Sequence, residues 1–116
     1  MAQFMLLLHD TSQELAAASP EQMQAILERY RAWGQKVGQA GQMAGGAKLK
    51  DEGGRHLRSN GSGKVEVTDG PYAEAKEVLG GYYTVTAGSY DEAVEIARGC
   101  PHLDYGWIEV RQVDEM

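Results

Sequence analysis

Two copies of a strand–helix–strand pattern dominate this 116-residue chain. The segment Ser19-Pro20-Glu21-Gln22 predicts the start of the first helix. Its serine can cap the helix N-terminus, its proline suits the first turn, and its glutamine can complete a capping box. Apolar residues follow at spacings of three and four: Met23, Ile26, Leu27, Tyr30, Trp33 and Val37. This spacing predicts an amphipathic helix that ends at Gly38 or Gly41.

A second capping box, Ser89-Tyr90-Asp91-Glu92, predicts a second helix that Gly99 closes. Four strand candidates surround the two helices: Phe4–Leu8, Gln42–Lys50, Tyr82–Thr86 and Trp107–Val113. The second is the weakest of them, because it contains Gly45-Gly46. The first of them is apolar at every position, which is typical of a strand covered on both faces. In the last, Ile108 and Val110 point one way, while Trp107, Glu109 and Arg111 point the other way.

Between the two units lies a predicted surface hairpin. Arg55–Arg58 and Lys64–Thr68 form its strands and the Asn60-Gly61 turn joins them. The complete order is therefore β-α-β, hairpin, β-α-β. It predicts a single domain over residues 1–116 with a ferredoxin-like α+β sandwich, in which both helices cover one face of an antiparallel sheet.

The other face of that sheet is predicted to be too apolar for water. The first strand offers it apolar residues, either Met5 and Leu7 or their neighbours, and the last strand offers Trp107 beside Glu109 and Arg111. A second copy of the chain, related by two-fold symmetry, would cover these residues. The resulting homodimer would enclose a space lined by apolar and charged groups, as small-molecule sites are.

The composition of the chain limits which binding partners and which cellular compartment are expected. Eleven basic and 17 acidic residues give a net charge of −6, which disfavours nucleic acid and anionic membranes as partners. The apolar run at the N-terminus has no basic flank and stops at His9-Asp10, so it predicts neither a signal peptide nor a membrane span. A single cysteine, Cys100, excludes an internal disulfide and suits the cytoplasm. No cofactor-binding motif is present in the sequence.

The segment from Val67 to Tyr83 carries a resemblance to a known family. Its Asp69-Gly70-Pro71-Tyr72 is similar to the signature of the DGPF branch of the YCII-related proteins, with tyrosine in place of the phenylalanine that names the motif. The similarity extends to further segments along the chain: Met5–Leu8, Asp91–Ala93, Cys100-Pro101 and Ile108–Arg111.

This resemblance implies a dimeric α+β barrel built from ferredoxin-like subunits. Most members of the family have no assigned activity. For YCII-like relatives an acid–base His–Asp pair in a cleft has been proposed, and one relative is a dehydrochlorinase acting on a chlorinated hydroxyquinol. The resemblance also implies an association with extracytoplasmic-function sigma factors, which often accompany DGPF proteins.

Two residues are predicted to be catalytic. Asp69 is either a carboxylate at the mouth of a cleft, acting as a base or orienting a histidine, or an Asx-type lock on a turn. His9 ends the first strand, where it would reach the rim of the cleft and could transfer protons. Its alternative role is that of a hydrogen-bonded structural histidine.

Four further residues are predicted to bind a ligand: Glu74, Lys76, Arg111 and Tyr82. The first two are alternatively a solvated charge pair. Arg111 shares a strand face with Glu109, where the two could clamp a substrate or form an ion pair that sets the dimer register. Tyr82 is alternatively an aromatic of the core or interface. Cys100, His102 and Asp104 alternate in a loop, but three such positions do not make a structural zinc site, so no metal is predicted.

Two functions from different classes therefore stay open. One is a cofactor-independent, lyase- or isomerase-like enzyme that performs acid–base chemistry on a small molecule in a dimer cleft. The other is a non-catalytic dimer that binds a ligand or regulates transcription together with a sigma factor. A third reading is an assembly module with a vestigial pocket.

Overall fold

In the computed structural model, residues 1–10, 17–50, 54–69 and 78–115 are described. The predicted ligand-binding residues Glu74 and Lys76 lie outside these ranges. The elements are β1 (Ala2–Asp10), α1 (Pro20–Gln39), β2 (Met43–Lys48), β3 (Arg55–Ser59), β4 (Val65–Asp69), β5 (Val78–Ala87), α2 (Tyr90–Arg98), a 3-10 helix (Pro101–Asp104) and β6 (Gly106–Gln112).

The strands form two sheets. A four-stranded sheet has the order β2-β5-β1-β6, and a separate two-stranded sheet pairs β3 with β4. All of these pairings are antiparallel. The result is a mixed α+β fold whose two strand–helix–strand units interleave, since β1 and β5 lie at the centre of the larger sheet.

The core lies between one face of the larger sheet and the two helices. Phe4 and Leu6 of β1, Val85 of β5, Trp33 of α1 and Ala93 of α2 are all buried there. The predicted stripe of α1 reaches this core through Trp33 and Val37, while Leu27 remains 38% exposed. The amphipathic pattern is therefore confirmed, but only the C-terminal half of the helix packs fully.

The N-terminus of α1 has the predicted capping box. The hydroxyl of Ser19 accepts from the Gln22 amide at 3.1 Å, and the Gln22 side chain accepts from the Ser19 amide at 2.8 Å. At the other end, Ala40 is the C-cap and Gly41 adopts a positive φ of 73°. Of the two glycines predicted to end this helix, the second therefore makes the turn that only glycine adopts without strain.

The second capping box is only half formed. Ser89 accepts from the Glu92 amide at 3.2 Å, as predicted. The Glu92 carboxylate does not return to Ser89; it accepts from the Gly88 amide at 3.1 Å and from the Gln42 side chain at 2.9 Å. The Glu92 side chain therefore binds Gly88 and Gln42, the latter from the loop before β2, instead of the backbone amide of Ser89.

The strand predicted over Tyr82–Thr86 is longer than the sequence pattern indicates, because β5 already begins at Val78. Gly80 and Gly81, predicted to precede the strand, are inside it. A Cβ atom at Gly80 would lie 2.2 Å from the Asp10 carboxylate, and one at Gly81 would lie 2.9 Å from the Ala47 carbonyl oxygen. The two glycines therefore allow neighbouring strands to approach, which residue propensities alone do not reveal.

The hairpin of β3 and β4 is confirmed, with Leu57 directly opposite Val67. Both strands are almost entirely exposed. Leu57, Val65 and Val67 lie on one face of the hairpin and are each about 60% exposed. A two-stranded hairpin is only marginally stable alone in water. Burial of this apolar strip would therefore stabilise the hairpin.

Candidate functional site

The candidate site lies on the face of the larger sheet that neither helix covers, here called the open face. In an antiparallel pair, directly opposed residues point to the same side. Three rows of side chains therefore cross the open face, one for each of three residues of β1: Thr84–Met5–Arg111, Tyr82–Leu7–Glu109 and His9–Trp107. Three of the predicted site residues, His9, Tyr82 and Arg111, thus share this face.

The centre of the site is the His9 ring. It is stacked on Trp107, with ring centroids 4.1 Å apart and planes 9° from parallel. Its Nε2 lies 3.1 Å from Oε1 of Glu109. The side chains of His9 and Glu109 are 20% and 31% exposed, so both remain within reach of a small molecule while their positions are restricted by neighbours.

The hydrogen-bond partner of Nε2 determines which tautomer the neutral His9 ring adopts. A carboxylate only accepts hydrogen bonds, so Nε2 carries the proton and Nδ1 carries the lone pair. Within the described part of the chain, no side chain or backbone group makes a hydrogen bond to Nδ1 of His9. A histidine oriented by a carboxylate through one nitrogen, with a basic second nitrogen, has the arrangement of a general base.

Glu109 interacts with two side chains, Arg111 and His9. Its Oε2 accepts from Nη1 of Arg111 at 3.0 Å, and its Oε1 faces His9. The hydrogen bond from Arg111, followed by that from His9, lowers the pKa of Glu109 below its ordinary value. The predicted Glu109–Arg111 ion pair is therefore present, and the carboxylate stays ionised at the pH values where histidines titrate.

The end of β1 carries an irregularity beside the site. The pairing of β1 with β5 shifts between Leu8 and His9, so that Leu8 is opposite Gly81 and His9 is opposite Leu79. The extra residue is Gly80 of β5, which has no partner in β1, and an extra residue of this kind disrupts the ladder locally. The strand predicted to end at His9 continues to Asp10, and His9 pairs with Leu79 beyond the irregularity.

Asp69, the other predicted catalytic residue, lies elsewhere. It ends β4 in the two-stranded sheet, its side chain is 81% exposed, and its Oδ1 lies 3.2 Å from Nε of Arg55. No hydrogen bond or ion pair joins Asp69 to His9 within the residues described. The carboxylate that the structure brings to His9 is that of Glu109, and a catalytic role for Asp69 stays a prediction.

The three alternating loop residues, Cys100, His102 and Asp104, make separate contacts within the fold. Cys100, which follows the C-cap of α2, is 2% exposed, and burial raises the pKa of its thiol to about 11. His102 binds the His9 carbonyl and the Tyr30 hydroxyl. Asp104 pairs with Arg29 at 2.6 Å. In the described ranges, no group of three or more His, Cys, Asp or Glu side chains is arranged to hold a metal.

Sequence reasoning missed Glu109 as the partner of His9. The alternation in β6 correctly puts Glu109 beside Trp107 and Arg111. Their relation to His9 depends on the register of β1 against β6, in which His9 is opposite Trp107. A pair of strands separated by about a hundred residues leaves no local signal of its register.

Comparison with known proteins agrees with the resemblance at the level of the family. The profile of the YCII-related domain matches residues 2–116. An uncharacterised protein of Rhizobium meliloti (strain 1021) is 30% identical over 95 residues, which make up 82% of this chain and 77% of that protein. Neither helix in the described part of the chain combines the length and apolar character needed to cross a membrane. Since the family profile spans nearly the whole sequence, the chain belongs to the YCII-related family.

Proposed function

We propose that the open face is a small-molecule site in which His9 and Glu109 form an acid–base pair. The observation that carries the proposal is that two neighbouring side chains fix the position of the His9 ring. Trp107 holds its plane by stacking, and Glu109 holds its Nε2 at 3.1 Å. Nδ1 is then the nitrogen that takes and returns a proton, and the ionised Glu109 stabilises the imidazolium formed during transfer.

The residues around the pair suit a planar organic ligand. Trp107 is 40% exposed and offers an aromatic surface, and Leu7 and Tyr82 continue the same face. Arg111, whose side chain is 67% exposed, lies where it could share its guanidinium with an anionic group of the ligand. With no redox cofactor motif in the sequence, the chemistry we propose is proton transfer of the lyase or isomerase type.

We further propose that a second copy of the chain closes the site. The strand order β2-β5-β1-β6, with two helices on one face, supports the proposal that each chain is a ferredoxin-like sandwich. Two such sheets facing each other would form the dimeric α+β barrel. Met5, Leu7 and Trp107 on the open face supply the apolar surface that favours this pairing.

The remaining predictions belong to the same proposal. Because the segment around Asp69 resembles the DGPF signature, we propose that the chain belongs to the DGPF branch of the family and that Asp69 reaches the cleft of a dimer. A non-catalytic dimer acting with a sigma factor is the alternative. The single cysteine continues to favour the cytoplasm.

The proposal is tested with 5-nitrobenzisoxazole, a coloured probe of general-base catalysis. A base removes the proton on C3, the electron pair forms the nitrile, and the N–O bond breaks to leave a phenolate that absorbs visible light. We expect turnover to fall on the order of 100-fold in His9→Gln and to fall in Glu109→Gln as well. His56→Gln, on the hairpin, is the matched control and should keep full activity. Equal turnover in His9→Gln and the unchanged protein would reject His9 as the base.

The same experiment separates catalysis from simple binding. If the phenolate product perturbs the NMR signals of Trp107 and Arg111 but the chain does not accelerate its formation, the open face is a binding site without acid–base chemistry. That outcome supports the ligand-binding alternative instead.

A further inference from the structure

We infer that His102 is a positioning residue for the proposed acid–base pair, because it holds the backbone carbonyl of His9 and thereby keeps the His9 ring on Glu109. The inference rests on the proposed function of that pair. It concerns a buried histidine outside the open face, which the acid–base chemistry itself does not use.

The contacts of His102 define a chain of hydrogen bonds into β1. His102 is 2% exposed. Its Nε2 lies 2.9 Å from the carbonyl oxygen of His9, and its Nδ1 lies 2.9 Å from the hydroxyl of Tyr30. A carbonyl oxygen only accepts, so Nε2 is the donor, and in the neutral ring Nδ1 accepts from Tyr30. Burial raises the pKa of Tyr30, so its hydroxyl keeps the proton that it donates.

Asp10 faces the same nitrogen. Its Oδ1 lies 3.4 Å from Nε2 of His102. The carboxylate therefore favours the tautomer with the proton on Nε2, as does the His9 carbonyl. Both acceptors belong to consecutive residues of β1, so one ring nitrogen fixes the last two residues of the strand.

Gly106 makes this contact possible. A Cβ atom at this position would lie 1.8 Å from the His9 carbonyl oxygen and 3.0 Å from Nε2 of His102. Any other residue would therefore separate the two groups. The absence of a side chain at the first residue of β6 lets the 3-10 helix bring His102 against β1.

The location of this contact explains why it should matter for the site. His9 lies just after the point where the regular ladder between β1 and β5 is interrupted, because Gly80 of β5 has no partner in β1. Its carbonyl is held by His102 while its ring, on the open face, is held by Glu109 and Trp107. Releasing the carbonyl lets the peptide plane turn, and a displacement of about 1 Å is enough to cost a catalytic group on the order of 100-fold in rate.

The test compares His102→Asn with His102→Gln. The shorter asparagine side chain withdraws the donor from His9, whereas the glutamine amide reaches to a position similar to that of Nε2. Trp33→Phe is the matched control, because it removes a different buried hydrogen bond, from Nε1 to the Ile96 carbonyl oxygen at 3.2 Å. It reports the effect of lost stability without touching His9.

Two NMR measurements report the geometry without a substrate. The first is the pKa of Glu109, followed by its carboxyl ¹³C signal; part of its lowering comes from the His9 hydrogen bond. The second is the ¹⁹F signal of Trp107 after 5-fluorotryptophan labelling, which senses protonation of the stacked His9 ring. Trp107→Phe assigns that signal against Trp33.

We expect His102→Asn to raise the pKa of Glu109 and to weaken the pH response of Trp107, with about a tenfold or greater loss of probe turnover. We expect His102→Gln to restore these readouts in part and Trp33→Phe to leave them unchanged. If His102→Asn does not fold, Tyr30→Phe replaces it, since it removes the hydroxyl that orients His102; a raised pKa of Glu109 is expected there too.

The inference is overturned if the folded His102→Asn variant, or Tyr30→Phe in its place, loses stability as the control does while Glu109 and Trp107 titrate as in the unchanged protein. This outcome differs from failure of the proposed function. Absence of probe turnover in the unchanged protein removes the catalytic role, whereas the NMR comparison still decides whether His102 positions His9.

Discussion

Nε2 of His9 and Oε1 of Glu109 lie 3.1 Å apart although one hundred residues separate them in the chain. The contact exists because β1 and β6 are neighbours in the larger sheet, with His9 opposite Trp107 and Leu7 opposite Glu109. Glu109 therefore reaches diagonally to His9 across one face. Arg111 donates to its other oxygen, so the three residues form one hydrogen-bonded network.

The first prediction concerns Arg111→Gln. The Arg111 hydrogen bond is the largest cause of the lowered pKa of Glu109, so the substitution should raise that pKa toward its ordinary value of 4.5. A lowered pKa in the folded state stabilises the protein above the pKa of the unfolded chain, and this stability is lost as the pH falls through the folded value. The unfolding free energy of Arg111→Gln should therefore fall less steeply below pH 4.5.

The measurements are a ¹³C titration of the Glu109 carboxyl and urea unfolding at a series of acid pH values. Arg98→Gln is the control, since Arg98 pairs with Glu95 on the exposed side of α2 at 2.8 Å. It should leave the Glu109 titration unchanged. An equal change in both variants would mean that net charge, rather than the specific bond, determines the effect.

Much of the architecture was accessible from local signals. Ser19 and Ser89 mark both helix starts, and the alternation of Trp107–Val113 identifies β6 and its two faces. These features depend on residues within a few positions of one another. The same holds for the hairpin, where Asn60-Gly61 lies between two short runs of β-formers.

The site was only partly predictable, because its contacts are between distant segments. The predicted site residues His9, Arg111 and Tyr82 share the open face, but the register that joins His9 to Glu109 has no local signature. The role of His102 was equally hidden. It depends on Gly106 and on the close approach of the 3-10 helix to β1, which appear only when the strands are paired.

The second prediction concerns the buried thiol. Because burial raises the pKa of Cys100 to about 11, the thiol stays protonated near neutral pH and should react with Ellman's reagent far more slowly than free cysteine. The reaction rate should rise with urea as the fold opens. A native chain that reacts as fast as a small thiol would contradict the buried position.

The same raised pKa predicts a loss of stability in alkali. A group whose folded pKa is higher than its unfolded pKa stabilises the fold below the unfolded value, and this contribution disappears as the pH rises through the folded value. For Cys100 the window runs from pH 9 to about pH 11. Cys100→Ala should flatten the unfolding free energy in this window, although the raised pKa values of Tyr30 and Tyr83 will retain part of the slope.

The third prediction compares two glycines by thermal and urea unfolding. Gly106→Ala places a methyl group against the His9 carbonyl oxygen and should destabilise the fold by about 3 kcal/mol, the upper end for overpacked sites. Gly34→Ala, in α1, meets nothing within 4 Å and should stabilise it by about 1 kcal/mol, because alanine favours a helix interior. Similar effects at both positions would show that the close approach at Gly106 is absent.

The fourth prediction tests whether the open face is an interface. Leu7 lies in its middle row, between Tyr82 and Glu109, so Leu7→Lys would bury a charge if a second copy covers the face. We expect light scattering to give twice 12.6 kDa for the unchanged protein and a larger fraction of single chains for the variant. Gln24→Lys, on the exposed side of α1, adds the same charge away from the sheet and should preserve the pair. If the unchanged protein scatters as a single chain at working concentration, the open face meets water and the enclosed chamber does not form.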